Sequence, residues 1–402
     1  MADRATADAV PMHTVSSAIP KGVWALGLVS LLMDTSSEMI HSLLPVFLTS
    51  VLGVSALEVG VIEGIAEATA AITKVFSGTI SDRIGRRKPL LLFGYGLAAL
   101  TKPVFALAPT VGWVIGARFA DRLGKGVRGA PRDALVADMT PPPLRGAAFG
   151  LRQSLDTVGA FAGPLIAVLV MALTGDAYRL VFWLATAPAL LAVLLILVGI
   201  REPAAHKVTR AANLSWGDVK RFPAGYWSVV GIATLMTLAR FSEGFLLLRA
   251  QSVGLGAAWV PMVFVAMNVV YAVSSYPIGH LSDRLGRRGL LLGGFAVLIL
   301  ADIVLAQAAT IWAVMAGVAL WGLHMGMTQG LLSTLVADSA PQELRGTAFG
   351  VFNLVSGIAL LLASVIAGEL WTSIGPAATF EAGAAFTVAA LLALLPWRGG
   401  WR

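Results

Sequence analysis

The feature that most constrains this chain is a series of apolar segments, each about 20 residues long, repeated from end to end. A bilayer core of about 30 Å is crossed by about 20 helical residues at ~1.5 Å rise each, so every such segment reads as a membrane-spanning helix. Twelve fit: residues 22–50, 57–80, 89–107, 110–136, 147–174 and 178–200, then 226–253, 258–281, 289–308, 311–336, 347–373 and 376–396. Composition agrees, since 57% of the 402 residues are hydrophobic and 13% are charged, an imbalance foreign to soluble domains. The expected class is therefore an all-α membrane protein of twelve transmembrane helices.

The net charge of +7 raises nucleic acid as a partner. The basic residues, however, fall in short clusters between apolar segments rather than on one amphipathic face, and no nucleic-acid binding is expected. Arg83, Arg86, Arg87 and Lys88 follow the second span, Arg284, Arg287 and Arg288 follow the eighth, and others lie between the sixth and seventh. Lys and Arg mark cytoplasmic loops, which places both termini in the cytoplasm and the protein in a bacterial inner membrane. Residues 1–21 lack the basic start and apolar run of a signal peptide and read as a cytoplasmic tail. Cysteine is absent, so there is no disulfide framework, thiolate metal site or cysteine nucleophile.

The chain also repeats itself. Gly78-Thr-Ile-Ser-Asp-Arg-Ile-Gly-Arg-Arg87 recurs as Gly279-His-Leu-Ser-Asp-Arg-Leu-Gly-Arg-Arg288. Leu135-Val-Ala-Asp138 with Leu144-Arg-Gly-Ala-Ala-Phe-Gly150 recurs as Leu335-Val-Ala-Asp338 with Leu344-Arg-Gly-Thr-Ala-Phe-Gly350. A duplicated six-span bundle accounts for both pairs, with halves at 22–200 and 226–402 joined by a cytoplasmic linker at 201–225. Two related bundles around a midplane site form the architecture of alternating access.

At Gly78, Asp82, Arg83, Gly85, Arg86 and Arg87, and again at Gly279, Asp283, Arg284, Gly286, Arg287 and Arg288, the sequence resembles the major facilitator superfamily, whose mark is this loop between spans two and three. The resemblance implies that the loop's Asp sits at the start of span eleven, where free N–H groups and the helix dipole favour an anion, and that the loops act as a conformational gate. The plainer reading is that they only mark topology. In span five, Gly150, Gly159, Gly163 and Pro164 resemble the Gly-x8-Gly-x3-Gly-Pro pattern of proton-coupled exporters, with Ala167 and Val168 in place of its final glycines. Tight helix packing alone also explains those glycines.

Charges inside a membrane cost several kcal/mol and mark functional candidates by default. Arg118, Asp121, Arg122, Lys125, Arg128, Arg132 and Asp133 form one stripe on span four, an arc of roughly 140° at ~100° per residue. Asp121 and Lys125, four apart, can neutralise each other. The corresponding positions of the second copy include Trp321, Gly322, Met325 and Thr328, so the fold does not require the charges. Span one carries Asp34, Glu38 and His41, and span two carries Glu63, Glu67 and Lys74. Like charges four apart repel, so one acid of each pair, Asp34/Glu38 and Glu63/Glu67, is expected to hold a proton, foremost Asp34 and Glu67. The alternative is that these acids pair with Arg118, Arg122 or Arg128 and stay ionised. Arg152 and Asp156 look like an internal pair.

The second half is sparser, with Arg240, Ser242, Glu243 and Arg249 in span seven, Asn268 and Tyr271 in span eight, and His324 and Gln329 in span ten. Arg118, Asp121, Arg122, Lys125, Arg128, Arg240, Glu243, Asn268, Tyr271 and His324 are the candidates for substrate contact. If one acid per pair is protonated, Arg122, Lys125 and Arg128 leave the cavity positive and suited to an anion or zwitterion. No nucleophile set, metal-ligand spacing or phosphate-binding glycine loop appears, so neither catalysis, a metal nor a cofactor is expected. The expected partners are a small-molecule substrate, protons and membrane lipids, for a chain acting as a monomer. Three functions fit: a proton-coupled exporter of a small organic solute, an importer of an anionic metabolite or metal chelate, and a non-transporting sensor.

Overall fold

In the computed structural model, residues 19–84, 86–141, 144–202, 221–339 and 345–395 are described, without the side chains at 79, 82, 83, 145, 146, 276, 277, 279–287, 329–335, 337, 338 and 345–347. The described chain is helical throughout. Span one is Lys21–His41 followed, after a two-residue break, by Leu44–Ser50; spans two to five are Ala56–Ile84, Lys88–Leu107, Val111–Met139 and Arg145–Thr174. Span six is Tyr178–Leu184 and Thr186–Gly199, and span seven is Ala224–Ala239 and Gly244–Ser252. A short 3-10 turn at Ala257–Trp259 leads into Met262–Gln307, which holds spans eight and nine, and spans ten to twelve are Ile311–Ser339, Arg345–Ser373 and Pro376–Leu394. Ten of the helical segments are apolar and long enough to cross a membrane by composition alone. Spans two and four are not among them, because they carry the charges.

Prolines fix several helix starts, where their missing N–H costs no bond: Pro45, Pro89 and Pro376 stand at first or second helical positions. Pro89 also explains a departure from expectation. From sequence, both copies of the Asp-Arg-x-Gly-Arg-Arg segment read as loops between spans. The first does separate two helices, with Pro89 opening the next. The second copy has Gly289 at the matching place, and the helix runs unbroken from Met262 to Gln307.

Spans one and five, two and four, and three and four are close partners within the first half, while spans two and eleven, and five and eight, pack across the halves. Small residues allow the approach. A Cβ on Gly159 would stand 2.6 Å from the Leu31 carbonyl oxygen, and one on Gly163 2.6 Å from that of Thr35, so two glycines of the span-five pattern hold spans one and five together. Gly150 does not share this role: it is exposed, and a Cβ there would meet no atom within 4 Å. Pro164 lies inside the span-five helix.

The two copies also finish one helix in the same way with arginines from different places. Arg179, at the start of span six, donates to the carbonyls of Ala106 and Ala108 at 2.9 Å each. Arg249, in span seven, donates to Leu305 at 2.9 Å, Ala306 at 3.2 Å and Ala308 at 2.6 Å. Each guanidinium satisfies carbonyls left free at a helix C-terminus, so Arg249 is bound to backbone and does not belong to the cavity.

Candidate functional site

Two contiguous cavities of about 480 and 500 Å³ lie between the halves. They share Glu38, Glu67, Lys125, Ala160, Thr237, Asn268 and Leu360. The first is deeper and adds His41, Glu63, Arg122, Arg240, Phe241, Glu243, Phe264 and Trp321. The second extends toward the end that carries the repeated Asp-Arg-x-Gly-Arg-Arg segments, past Asp34, Lys74, Arg128, Arg132, Asp156, Tyr271 and Asn353. At the opposite end the halves touch. Gln251 donates to the Ser50 hydroxyl at 2.6 Å, and the backbone N–H of Leu57 donates to Thr372 at 3.1 Å. A Cβ on Gly60 would overlap the Ser364 carbonyl oxygen, and one on Gly368 would stand 2.7 Å from Ala56 and Leu57.

The first-half wall is a network of ion pairs. Glu63 lies 2.6 Å from Arg118, Glu67 lies 3.2 Å from Arg122, and Glu38 lies 3.4 Å from His41. The expected repulsion between Glu63 and Glu67 is therefore offset, since each acid faces its own guanidinium. Asp34 differs: it lines the second cavity, and among the described residues no cation lies within 4 Å of it. Asp121 does not pair with Lys125 as the spacing predicts. Its carboxylate accepts from Lys102 at 2.8 Å, on span three, and Arg122 stands 3.7 Å away. The helix turns Asp121 toward span three while Lys125 faces the cavity.

Arg118 and Asp121 are 2% and 4% exposed and line neither cavity; they form the layer behind Arg122 rather than a contact surface. Arg128 lies 4.5 Å over the Tyr95 ring, a cation–π contact, and borders the second cavity. Arg152 and Asp156 do form an ion pair, at 2.5 Å. On the second-half wall, Arg240 and Glu243 flank the break in span seven, where irregular backbone borders the cavity. Phe241 in that break meets Trp321 with ring centroids 5.6 Å apart. His324, expected at the substrate, is fully buried. Its Nδ1 is 2.8 Å from the Gly294 carbonyl on span nine and its Nε2 3.4 Å from Thr328 one turn on in its own helix, so its ring ties span ten to span nine away from the cavity.

Of the gate residues, Gly78 lies inside the span-two helix, where a Cβ would make only an ordinary contact with Ala130. Arg86 is exposed. Arg87 donates to Asp138 at 2.5 Å and its N–H reaches Glu202. Arg288 donates to the Leu395 carbonyl at 2.5 Å. Gly85 lies outside the described residues, as do the side chains of Asp82, Arg83, Asp283, Arg284, Arg287 and Gln329; at Gly279 and Gly286 the backbone alone is described, within the long helix.

Spacing and motif alone do not single out Lys102, 1% exposed, or Asp302, fully buried and with neither carboxylate oxygen hydrogen-bonded among the described residues. A lone ionisable group in an otherwise apolar span was the available signal.

The fold and cavity have counterparts among known proteins. The family model for the Major Facilitator Superfamily matches residues 26–364, and again 232–399. The chain belongs to that superfamily. An uncharacterized MFS-type transporter of Methanocaldococcus jannaschii is 31% identical over 388 residues, 94% of this chain and 95% of that protein. A gentisate transporter of Corynebacterium glutamicum is 28% identical, over 75% of this chain and 70% of its own. The crystal structure of a point mutant of the nucleoside transporter NupG superimposes with a TM-score of 0.78 at 15% identity, covering 93% of this chain and 99% of that one. This superfamily member is thus an integral membrane protein with the twelve-helix fold of secondary transporters.

Proposed function

We propose that this chain is a proton-coupled exporter of a small organic solute, working by alternating access in a bacterial inner membrane with both termini in the cytoplasm. The observation that carries the reading is the pair of contiguous cavities between the halves, closed off at one end by Gln251–Ser50 and Leu57–Thr372 and extending at the other toward the basic segments. Positive-inside loops assign that second end to the cytoplasm, which makes this an inward-facing state. Gly159, Gly163 and Pro164 of span five, the exporter-like pattern, support the direction.

An organic anion is the favoured solute. Arg118 and Arg122 are held by Glu63 and Glu67, but Lys125 and Arg240, one from each half, line the deeper cavity with no carboxylate within 4 Å among the described residues. Arg240 can take a carboxylate bidentately, beside Phe241, Phe264 and Trp321 for an apolar body. A relative is named as a gentisate transporter, which also keeps import of an anionic metabolite as a second reading. Proteoliposome flux of gentisate as the probe anion, with the pH gradient present or collapsed at constant electrical potential, tests the reading. Gradient-dependent flux that falls at least tenfold in Arg240→Gln supports it; flux indifferent to the gradient refutes coupling.

A further inference from the structure

Seven of the ion pairs of the first half join into a single line. Glu38 faces His41 Nδ1 at 3.4 Å, and His41 Nε2 faces Glu63 at 3.5 Å. Glu63 lies 2.6 Å from Arg118, which is 4.0 Å from Glu67; Glu67 lies 3.2 Å from Arg122, which is 3.7 Å from Asp121; Asp121 lies 2.8 Å from Lys102. Acid and base alternate at every step. Glu38, Glu63, Glu67 and Asp121 supply the negative positions, and Arg118, Arg122 and Lys102 supply three of the four positive ones. The fourth belongs to His41, which lines the cavity, whereas Lys102 at the far end is 1% exposed.

We propose that His41 is the proton-binding residue of the transport cycle: it takes up the coupled proton from the far side, still holds it in this inward-facing state, and releases it into the cytoplasm-facing cavity when span one shifts relative to span two. Within this line the charges balance with an imidazolium at the fourth positive position, while Lys125, which lines the same cavity with no carboxylate within 4 Å among the described residues, is a cation left for the solute. Geometry agrees. A neutral imidazole has one N–H and one lone pair, and with a carboxylate oxygen near each nitrogen the lone pair would face negative charge; an imidazolium turns an N–H toward each, at ion-pair distances of 3.4 and 3.5 Å. Histidine is also the member of the line whose charge changes near neutral pH, while a guanidinium does not release its proton.

The surroundings of His41 come from every neighbouring span. Its own helix offers Glu38, span two offers Glu63 and Glu67, and span four offers Arg118, Arg122 and Lys125. Span five brings Gly163 against Glu38, with its Asp156 farther along the second cavity, span seven sets Arg240 and Glu243 on the facing wall of the first, and span eight brings Phe264 to 5.3 Å between ring centroids. Phe264 belongs to the other half, so a rocking of the halves that displaces this ring also alters the water access of the imidazole. The use of the proton rests on the transport reading, but its presence on His41 does not. This assignment makes His41, together with Asp34, which has no cation within 4 Å among the described residues, a place to look for the proton ahead of Glu38, Glu63 and Glu67, whose charges face cations.

Nitrogen-15 NMR of the full chain in lipid bilayers, with labelled histidine, tests the assignment. The chain has five histidines, and the His41 signal is the one missing in His41→Gln. At pH 7 both ring nitrogens should carry protons, and Glu63→Gln should lower the midpoint of the His41 titration by a pH unit or more. The Glu63→Gln difference spectrum also identifies His41 if His41→Gln does not fold. A neutral ring at pH 7, or a midpoint unmoved by Glu63→Gln, overturns the assignment. Gradient-driven gentisate flux should be lost in His41→Gln while exchange at equal pH persists; gradient-driven flux retained in that variant overturns the coupling role. A wild type that moves no gentisate counts against the substrate reading alone, and the NMR result then decides where the proton sits.

Discussion

Lys102 and Asp302 occupy the same register of the duplicated fold yet live in opposite circumstances. Leu90-Leu-Leu92 matches Leu290-Leu-Leu292, and Ala106, Ala108 and Thr110 match Ala306, Ala308 and Thr310, which aligns Lys102 with Asp302 and Asp121 with Trp321. Lys102 donates to Asp121 at 2.8 Å and to Ser37 at 3.1 Å. Among the described residues, Asp302 has no hydrogen-bond partner at either oxygen, and the Trp321 indole N–H has none either. The first copy keeps a buried ion pair where the second keeps an acid and an aromatic ring.

Removing one member of the Lys102–Asp121 pair should therefore be severe. Lys102→Met is expected to destabilise by about 3–5 kcal/mol, because it strands a buried carboxylate. The double variant Lys102→Met/Asp121→Leu should recover most of that loss, and thermal unfolding in detergent measures the non-additivity. Equal, additive losses would show that the pair is not coupled.

Asp302 gives the opposite expectation. A buried carboxyl without partners costs desolvation with nothing in return, so Asp302→Asn should leave the midpoint of thermal unfolding unchanged or raise it. Asp302→Leu adds apolar contacts beside Gly383, whose added Cβ would sit 2.8 Å from the Asp302 carboxylate. A marked fall in the unfolding temperature for both variants would show that Asp302 is bonded in the folded protein.

The closed end can be tested by holding it shut. Gln251 reaches Ser50 at 2.6 Å across the halves, and the absence of native cysteine makes Ser50→Cys/Gln251→Cys a clean pair. A short thiol cross-linker should abolish flux in the double variant, reversibly for a cleavable reagent, and leave either single variant active. Flux that survives complete cross-linking would place the moving end elsewhere.

Opening the same end is the complementary change. Gly60→Val pushes a branched side chain into the Ser364 carbonyl on span eleven, an overpacking expected to cost about 1–3 kcal/mol in this state. Spans two and eleven should separate, and a cysteine placed at Ala363, buried on span eleven in this state, should gain reactivity toward a reagent outside the membrane. Unchanged reactivity with retained stability would mean that the helices absorb the side chain without moving.

The sequence carried much of this architecture, for physical reasons that can be named. A bilayer leaves helices as the economical way to satisfy the backbone, so apolar length located ten of the spans, the charged spans two and four being less apparent by that measure, and the repeated Gly78–Arg87 and Gly279–Arg288 segments disclosed the duplication. Local rules failed where partners come from distant helices. Spacing along span four matched Asp121 with Lys125, but the actual cation is Lys102, a contact set by how spans three and four pack through Gly94 and Gly124. The acid pair Glu63/Glu67 looked self-repelling within span two, while Arg118 and Arg122 approach from span four. His324 was an ambiguous lone histidine until its bond to Gly294 placed it inside the bundle.

Alternating access to the central cavity is the claim on which the rest depends, and Thr237, which borders both cavities, is the position to probe. In Thr237→Cys, oriented proteoliposomes should react with an impermeant thiol reagent from the side of the basic segments and not from the other. Adding gentisate with a pH gradient should slow labelling from that side and create labelling from the opposite side. Labelling confined to one side under every condition, with flux still measurable, would contradict the account.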